Sequence, residues 1–493
     1  MVPEVLAFPH PIGFDTVHYA DRMVRGVVWD NWSSVFTSSW LLYALIVPAY
    51  EVLRGDPFLL LKVVAPLLYG LNVAGIYYFA RKGLSWSVKK SLVAGGFFAF
   101  QFAALRISWD LLRNLSGLGL LVFALSLTYK LESRRGFLAF AVLSLLAVFA
   151  HEYAAVILLA VVSWIVLRNL LNDKGMSCLR LMLASLPAFA VFAVGLCLRF
   201  FPIHYVVETN VINAGDIVQA RAGGVFFLTN YLGVNDGVEF YPSYLDLALH
   251  VSVLFAVLYL SYVLLVWKGV FREDRLDSWS GLLIVGAFGC LVLPFSALLY
   301  WSRWMFMLAY PFTFYAVNGL EKLRRYSSSR RSWFGEFKQL GKGVKVMMFV
   351  TVLLGASYLA TPPLVKSFGG CVASVPPVSG YFSVAPAVPY EDVDDVIQAF
   401  EWIDANADED SCVLLMHAFA TWGTLHLDKS IQIVRFHIDG DKALEVAEDQ
   451  GFHSVYFVWW KESTGWFLYV KLPSDFLAVQ DFGRISVLKH LGS

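Results

Sequence analysis

Charge is scarce in this chain. Asp, Glu, Lys and Arg make up 15% of its 493 residues, against about 25% in ordinary soluble domains, which excludes a conventional water-soluble protein. The charge present has no sign bias: 38 basic residues balance 38 acidic ones, so the broad basic surface expected of a nucleic-acid binder is missing. Cysteine is rare too, five in all. Cys178, Cys197 and Cys290 fall in or beside apolar runs, leaving Cys371 and Cys412 as the pair with access to an oxidising exterior; spacing alone does not pair them. No internal repeat, no secretory signal and no Asp-x-Asp pair in the first polar loop is present.

What fills the chain is apolar sequence, 58% of all residues. A membrane-spanning helix needs about 20 consecutive apolar residues, and runs near that length fall at 57–80, 89–106, 112–130, 136–150, 153–171, 179–200, 247–267, 279–300, 303–320 and 345–361. They predict ten spans in a mainly α, polytopic core over 57–361. The run from Trp40 to Leu53 is shorter, is interrupted by Pro48 and is followed by Arg54, so it reads as an interfacial helix within an external segment 1–56.

Basic residues collect in cytoplasmic loops, and they alternate here: 81–90, 130–135, 168–180, 268–275 and 322–345 are rich in Lys and Arg. The intervening connections, around Arg106 to Asn114, His151 to Tyr153, Arg199 to Pro242 and Tyr300 to Arg303, then face outward, as do the opening segment and everything after Thr361. This parity predicts a multi-pass plasma-membrane protein and a true start upstream, with a span ahead of residue 1. After a Pro- and Gly-punctuated linker at 362–389, an amphipathic helix (Val393, Ile397, Phe400 and Ile403 at helical spacing), the strand-like runs SCVLLMH, SIQIVRF and HSVYFVWW, and the helical DKALEVAEDQG predict an external α/β domain over 390–493. Trp402, Trp422, Trp459 and Trp460 read as core of that domain rather than a sugar-stacking surface.

Ionisable groups are costly in hydrocarbon, and here they gather at the outward ends of spans: His10, Asp15, His18 and Tyr19 in HPIGFDTVHY; Arg106, Asp110, Arg113 and Asn114 in RISWDLLRN; His151 and Glu152; Arg303 in WSRW. All lie at one face and could line one cavity between membrane and outer domain. The plainer alternative is that each acid pairs with a neighbouring arginine or caps a helix. The long 200–243 connection, with His204, Tyr205, Glu208, Asp216, Arg221, Asp236 and Glu239, is a candidate cover or a passive interfacial loop.

With a loop acid, an interfacial helix, RISWDLLRN, a His-Glu pair at the next outward turn and an external α/β domain, the chain resembles the GT-C glycosyltransferases of the protein O-mannosyltransferase and aminoarabinose transferase branch. The resemblance covers most of the chain and rests on layout more than on any string; it departs at the N-terminus, where the family has a span before its loop acid. It implies inverting transfer of a sugar from a polyprenyl-phosphate donor to an acceptor outside the bilayer. Asp15 would be the base for the acceptor hydroxyl, and Arg303, Arg113 and Arg106 would bind the departing lipid phosphate, for which a planar guanidinium is suited. Asp110 and Glu152 would hold sugar hydroxyls or orient a cation, and His151, His18 and Tyr19 would be further substrate- or phosphate-binding residues. No cofactor is implied, although oligosaccharyltransferases of the same superfamily use a divalent ion, and His10, Asp15, His18, His151 and Glu152 supply N and O ligands. The rival classes are a transporter or lipid flippase, which would carry charges mid-span, and a nonenzymatic membrane scaffold.

Overall fold

The structure, a computed structural model, describes residues 7–491 apart from 14, 30–31, 38, 173–174, 201–210, 214–233, 236–237, 240, 242, 296–297, 330–333, 361–387, 409, 437–438 and 462–471. It is mainly helical with one small mixed sheet. In chain order the helices are α1 (Thr16–Val24), α2 (Ser34–Thr37), α3 (Leu41–Leu53), α4 (Pro57–Tyr78), α5 (Val88–Ala99), α6 (Phe102–Asp110), α7 (Leu112–Leu127), α8 (Arg134–Ala150), α9 (Glu152–Leu171) and α10 (Gly175–Phe200). They continue as α11 (Tyr244–Tyr259), α12 (Val263–Gly269), α13 (Asp274–Phe288), α14 (Trp301–Met307), α15 (Ala309–Ser329), α16 (Phe334–Leu359), α17 (Val393–Asn406), α18 (His417–His426) and α19 (Gly440–Asp449).

Every predicted span contains helix, but length and straightness separate them. Among the described residues three helices are long and apolar enough to cross a membrane, Pro57–Gly83, Glu152–Leu171 and Met176–Leu198, or up to five if each of two bent pairs counts as one span. Those pairs are α5 with α6, bent by 59°, and α11 with α12, bent by 77°. The predicted runs at 89–106 and 247–267 are thus broken helices, a feature that an apolar window does not register. The helix α4 shows how a helix of spanning length begins. Asp56 accepts the Phe58 amide at 2.7 Å, Pro57 occupies the first turn where no amide is needed, and 22 residues follow, about 33 Å at 1.5 Å per residue. By the same measure the 13 residues of α3 reach about 20 Å, short of the roughly 30 Å hydrocarbon layer. Leu67 (67% exposed), Leu186 (59%) and Trp267 (77%) project outward without protein cover, a surface suited to lipid rather than water. Close helix contact inside the core depends on glycine: Gly269 on α12 and Gly319 on α15 lie where any Cβ would collide with the carbonyls of Tyr315 and Leu265.

The sheet comprises β4 (Ser411–Met416), β5 (Gln432–Phe436), β6 (Ser454–Trp460), β7 (Phe476–Phe482) and β8 (Ile485–His490), with β1 (Val211–Asn213) added at one edge; a two-stranded ribbon of β2 (Val234–Asn235) and β3 (Val238–Glu239) stands apart. Its order is β1-β5-β4-β6-β8-β7. The strands β5, β4 and β6 are parallel, and β8 and β7 complete it antiparallel. The sequence expectation of three strands with a helix between the last two matches β4, β5, β6 and α19; α18, β7 and β8 are additions. So is β1, which comes from the 200–243 connection and pairs parallel with β5, Val211 opposite Ile433. Of the polar residues singled out in that connection, His204, Tyr205, Glu208, Asp216, Arg221 and Asp236 lie outside the described residues, as do Cys371 and nearly all of the 362–389 linker. Trp422 and Trp460 are fully buried, and Trp402 and Trp459 are partly buried against the same core.

The opening segment and the sheet share one hydrophobic core. Val17, Tyr19, Ala20 and Met23 of α1 and Ile46 of α3 pack in the same cluster as Phe400, Phe419 and Trp422, with the Phe58 and Trp422 rings 5.9 Å apart. Polar ties reinforce the seam: His10 Nε2 lies 2.7 Å from Asp394, and the Tyr390 hydroxyl donates to the Ala7 carbonyl at 3.1 Å.

Candidate active site

The site is built where α1 begins, directly over the α6–α7 junction. Gly13 makes the approach: its φ is +84°, and a Cβ there would lie 2.5 Å from the Asp110 Cβ and 3.1 Å from the Trp109 carbonyl oxygen. The chain reverses into α1 at this contact, with the Thr16 hydroxyl donating to the Ile12 carbonyl at 2.6 Å and the Tyr19 hydroxyl donating to the Asp110 carbonyl at 3.0 Å. Asp15 is therefore held beside Asp110 by backbone packing.

Asp15 stands at the N-cap of α1 and does not cap it with its side chain. Among the described residues its carboxylate makes no hydrogen bond or ion pair within contact distance, so both plain readings of this acid fail. Part of its surface reaches solvent, yet the protein around it removes most of its water. Burial, and then the facing Asp110 carboxylate, hold its carboxyl above the ordinary carboxylate range, while Arg303, Arg113 and Arg106 pull the other way. Those charge contacts bring the opening loop, RISWDLLRN and WSRW to one place.

The arginines differ in their commitments. Arg106 forms a two-pronged pair with Asp110, Nη1 to Oδ1 at 2.5 Å and Nη2 to Oδ2 at 3.3 Å, so for this couple the helix-neighbour reading is correct and Asp110 is buried in its service. Arg113 interacts with the Tyr19 hydroxyl. Arg303 lies over the Tyr300 ring at 4.9 Å and makes no ion pair among the described residues, which leaves it the guanidinium best able to take an incoming anion. Burial keeps Tyr19 a neutral phenol, its pKa pushed up further by Asp15.

Other candidates have different places. His151 caps α9, its Nδ1 accepting the Tyr153 amide at 3.1 Å; it is a structural residue of the helix turn, and its Cβ packs where Gly117 leaves room. His10 is drawn off to Asp394. Glu152 lines an open groove of about 230 Å³ with Phe36, Val148, Tyr153, Phe192 and Trp304. This groove runs among α2, α8, α9 and α10 and reaches the Arg303 region, since Arg303 and Glu152 both act on the Tyr153 hydroxyl. Among the described residues no three His, Cys, Asp or Glu side chains converge as metal ligands.

Three features were not read from the sequence. Gly13 is one, and the groove is another. The third is the arginine pair Arg22 and Arg25, one and two turns beyond His18 on the same helical face; the i, i+4, i+7 spacing was the available signal. Burial and the charges of Arg22, Arg113, Arg25 and Arg435 push the His18 imidazole down to about 3, so it is neutral at physiological pH.

No protein-family model and no curated protein matches the chain. Fold and site together define a mainly helical protein with helices apolar enough to cross a membrane, and with an arginine-surrounded carboxylate at the seam between them and a small α/β sheet.

Proposed function

We propose that the protein is a membrane glycosyltransferase of GT-C type that moves a sugar from a polyprenyl-phosphate donor to an acceptor hydroxyl on the outer face of the plasma membrane, with inversion. On this reading the ten helical passages form the polytopic core, the basic loops lie inside, and the α/β sheet covers the catalytic face. The observation that carries it is Asp15: an uncommitted, partly desolvated carboxylate ringed by Arg303, Arg113 and Arg106. A base must receive a proton, and a carboxyl whose pKa is raised toward the operating pH receives one more readily. The acceptor oxygen attacks the sugar's anomeric carbon as Asp15 takes its proton, and the bond from that carbon to the lipid phosphate breaks. The phosphate leaves with an added negative charge that Arg303 and Arg113 meet, and no general acid is needed. The apolar groove beside Trp304 and Glu152 gives the isoprenoid chain a place next to Arg303.

The test is sugar transfer from radiolabelled polyprenyl-phosphate sugars in membranes containing the protein, comparing wild type with Asp15→Asn. Loss of transfer with donor binding retained supports the reading; equal transfer removes Asp15 from the chemistry. A transporter or flippase is the second reading, favoured by the two bent helix pairs. Lipid translocation by reconstituted protein, with no transfer from any donor, would establish it instead.

A further inference from the structure

The two bent helix pairs break at one place. Between α5 and α6 the chain turns at Phe100 and Gln101, and between α11 and α12 it turns at Leu260 to Tyr262. The Phe97 ring, in the last turn of α5, meets the Tyr262 ring edge-on at 5.2 Å. The helix α16 touches both breaks. Gly355 brings it so close to the first that any Cβ would collide with the Phe100 carbonyl oxygen, and at the second the Thr351 and Ser261 hydroxyls are 3.1 Å apart. Thr351 and Gly355 are four residues apart, about 6 Å along the helix, so these contacts hold the two breaks within about one helical turn of each other.

The polar groups at this junction are uncharged, and two of them are unmet. Residues 91–105, 251–265 and 346–360 contain no Asp, Glu, Lys, Arg or His. Gln101 is fully buried, and among the described residues neither end of its amide has a hydrogen-bond partner; the buried Tyr262 hydroxyl has none either. Gln101 does not cap α6 with its side chain, and the Phe98 and Ala99 carbonyls that end α5 are already closed by the Tyr69 hydroxyl of α4, at 3.0 and 3.1 Å. Helix termination therefore does not account for a buried glutamine here, and a buried amide left unmet is costly.

We propose that the junction of the two broken helices binds a monovalent alkali cation, held by the Gln101 side-chain oxygen and the hydroxyls of Tyr262, Ser261 and Thr351. The donor set is oxygen throughout, which suits a hard cation, and it lacks the carboxylates on which a divalent ion relies. The field has the matching sign at α11, whose free carbonyls end here with no basic residue in the last turn. One water retained by the ion would accept from the Gln101 amide nitrogen. Broken helices are where membrane proteins expose backbone and side-chain oxygens to an ion without exposing them to lipid. The site is independent of the glycosyltransferase reading, since none of its residues belongs to the Asp15 centre.

The test is thermal unfolding of the full chain in zwitterionic nanodiscs, titrated with sodium chloride or potassium chloride against choline chloride at constant ionic strength. The proposal expects an unfolding temperature that rises and saturates with sodium or potassium and not with choline, and the more effective of the two names the ion. Gln101→Leu and Tyr262→Phe should each raise the half-saturating concentration at least tenfold. In choline alone Tyr262→Phe should unfold no lower than wild type, because it removes a hydroxyl without a partner, and this separates a lost ion from a damaged fold. Equilibrium binding of radioactive sodium, competed by unlabelled sodium and potassium, gives the direct count. Equal stabilisation by choline, or a saturation unmoved by both variants, would overturn the site and leave buried water as the partner of Gln101. Saturable cation binding in a protein that transfers no sugar would refute the transferase reading and leave the cation site standing.

Discussion

Replacing Gly13 by alanine tests the site without touching any reacting group. Two costs meet at this position. The backbone has a φ of +84°, a left-handed conformation that costs an L-residue about 1–2 kcal/mol. The new methyl would also lie 2.5 Å from the Asp110 Cβ and 3.1 Å from the Trp109 carbonyl oxygen, and overpacking of this kind costs about 1–3 kcal/mol. Neither neighbour yields easily: Asp110 is 3% exposed and doubly bonded to Arg106, and Trp109 is 2% exposed against Tyr358, with ring centroids 4.1 Å apart. The loop is the element that can move, and it carries Asp15 two residues on. A displacement of about 1 Å at a catalytic group can cost about a hundredfold in rate, so on the proposed transferase reading Gly13→Ala is expected to lower kcat for sugar transfer by about that factor while donor binding, which that reading assigns to Arg303, changes little. Transfer kinetics, donor binding and thermal unfolding measured on the same preparation decide it. A variant with wild-type kcat and wild-type unfolding temperature would refute the argument that this contact positions Asp15.

Three further outcomes are expected. His18 is neutral in the folded protein down to about pH 3 but protonates near 6.5 once unfolded, so its contribution to stability is present above 6.5 and is lost as pH falls from 6.5 toward 3, at no more than about 1.4 kcal/mol per pH unit for one proton; His18→Asn should flatten that part of a pH–stability curve, and an unchanged slope would discount the burial of this ring. Asp15 has the opposite sign: its raised pKa makes the ionised form a cost to folding above the ordinary carboxylate range, so Asp15→Asn should unfold at or above the wild-type temperature at pH 7, with the difference closing as pH falls toward 3.8, and a clear drop at pH 7 would contradict it. Because arginines supply the positive charge around Asp15, transfer is expected to survive exhaustive EDTA treatment within about twofold; loss restored by Mg²⁺ or Mn²⁺ would show that a divalent ion completes the site.

Much of the architecture was legible because membrane insertion imposes a coarse code. A chain that hides its backbone in helices must be apolar where it meets lipid, and its ionisable groups must retreat to the boundaries; Asp15, Asp110, Arg106, Arg113 and Arg303 could be grouped on that ground alone. Bends are not part of the code. The break at Phe100 and Gln101 and the one between Tyr259 and Val263 sit inside long, mostly apolar runs, and packing decides them. The role of each charge was legible only to first order, since His151 and Asp110 turn out to serve a helix cap and an arginine while Asp15 serves neither. The helix α18 was missed because HAFATWGTLH mixes small, polar and aromatic residues without a clean period.

The pairing of Val211–Asn213 with β5 has a bearing on biosynthesis. The two strands are made far apart in time: the first leaves the ribosome with the middle of the helical core, the second near the end of the chain. Until β5 arrives, the short segment has unpaired amides, and until it docks, β5 has an open edge of the kind that recruits foreign strands. Closure of the sheet is thus a late, long-range event, and limited proteolysis of nascent chains arrested at successive lengths would find the 211–213 region cleavable until the last strands of the sheet have emerged.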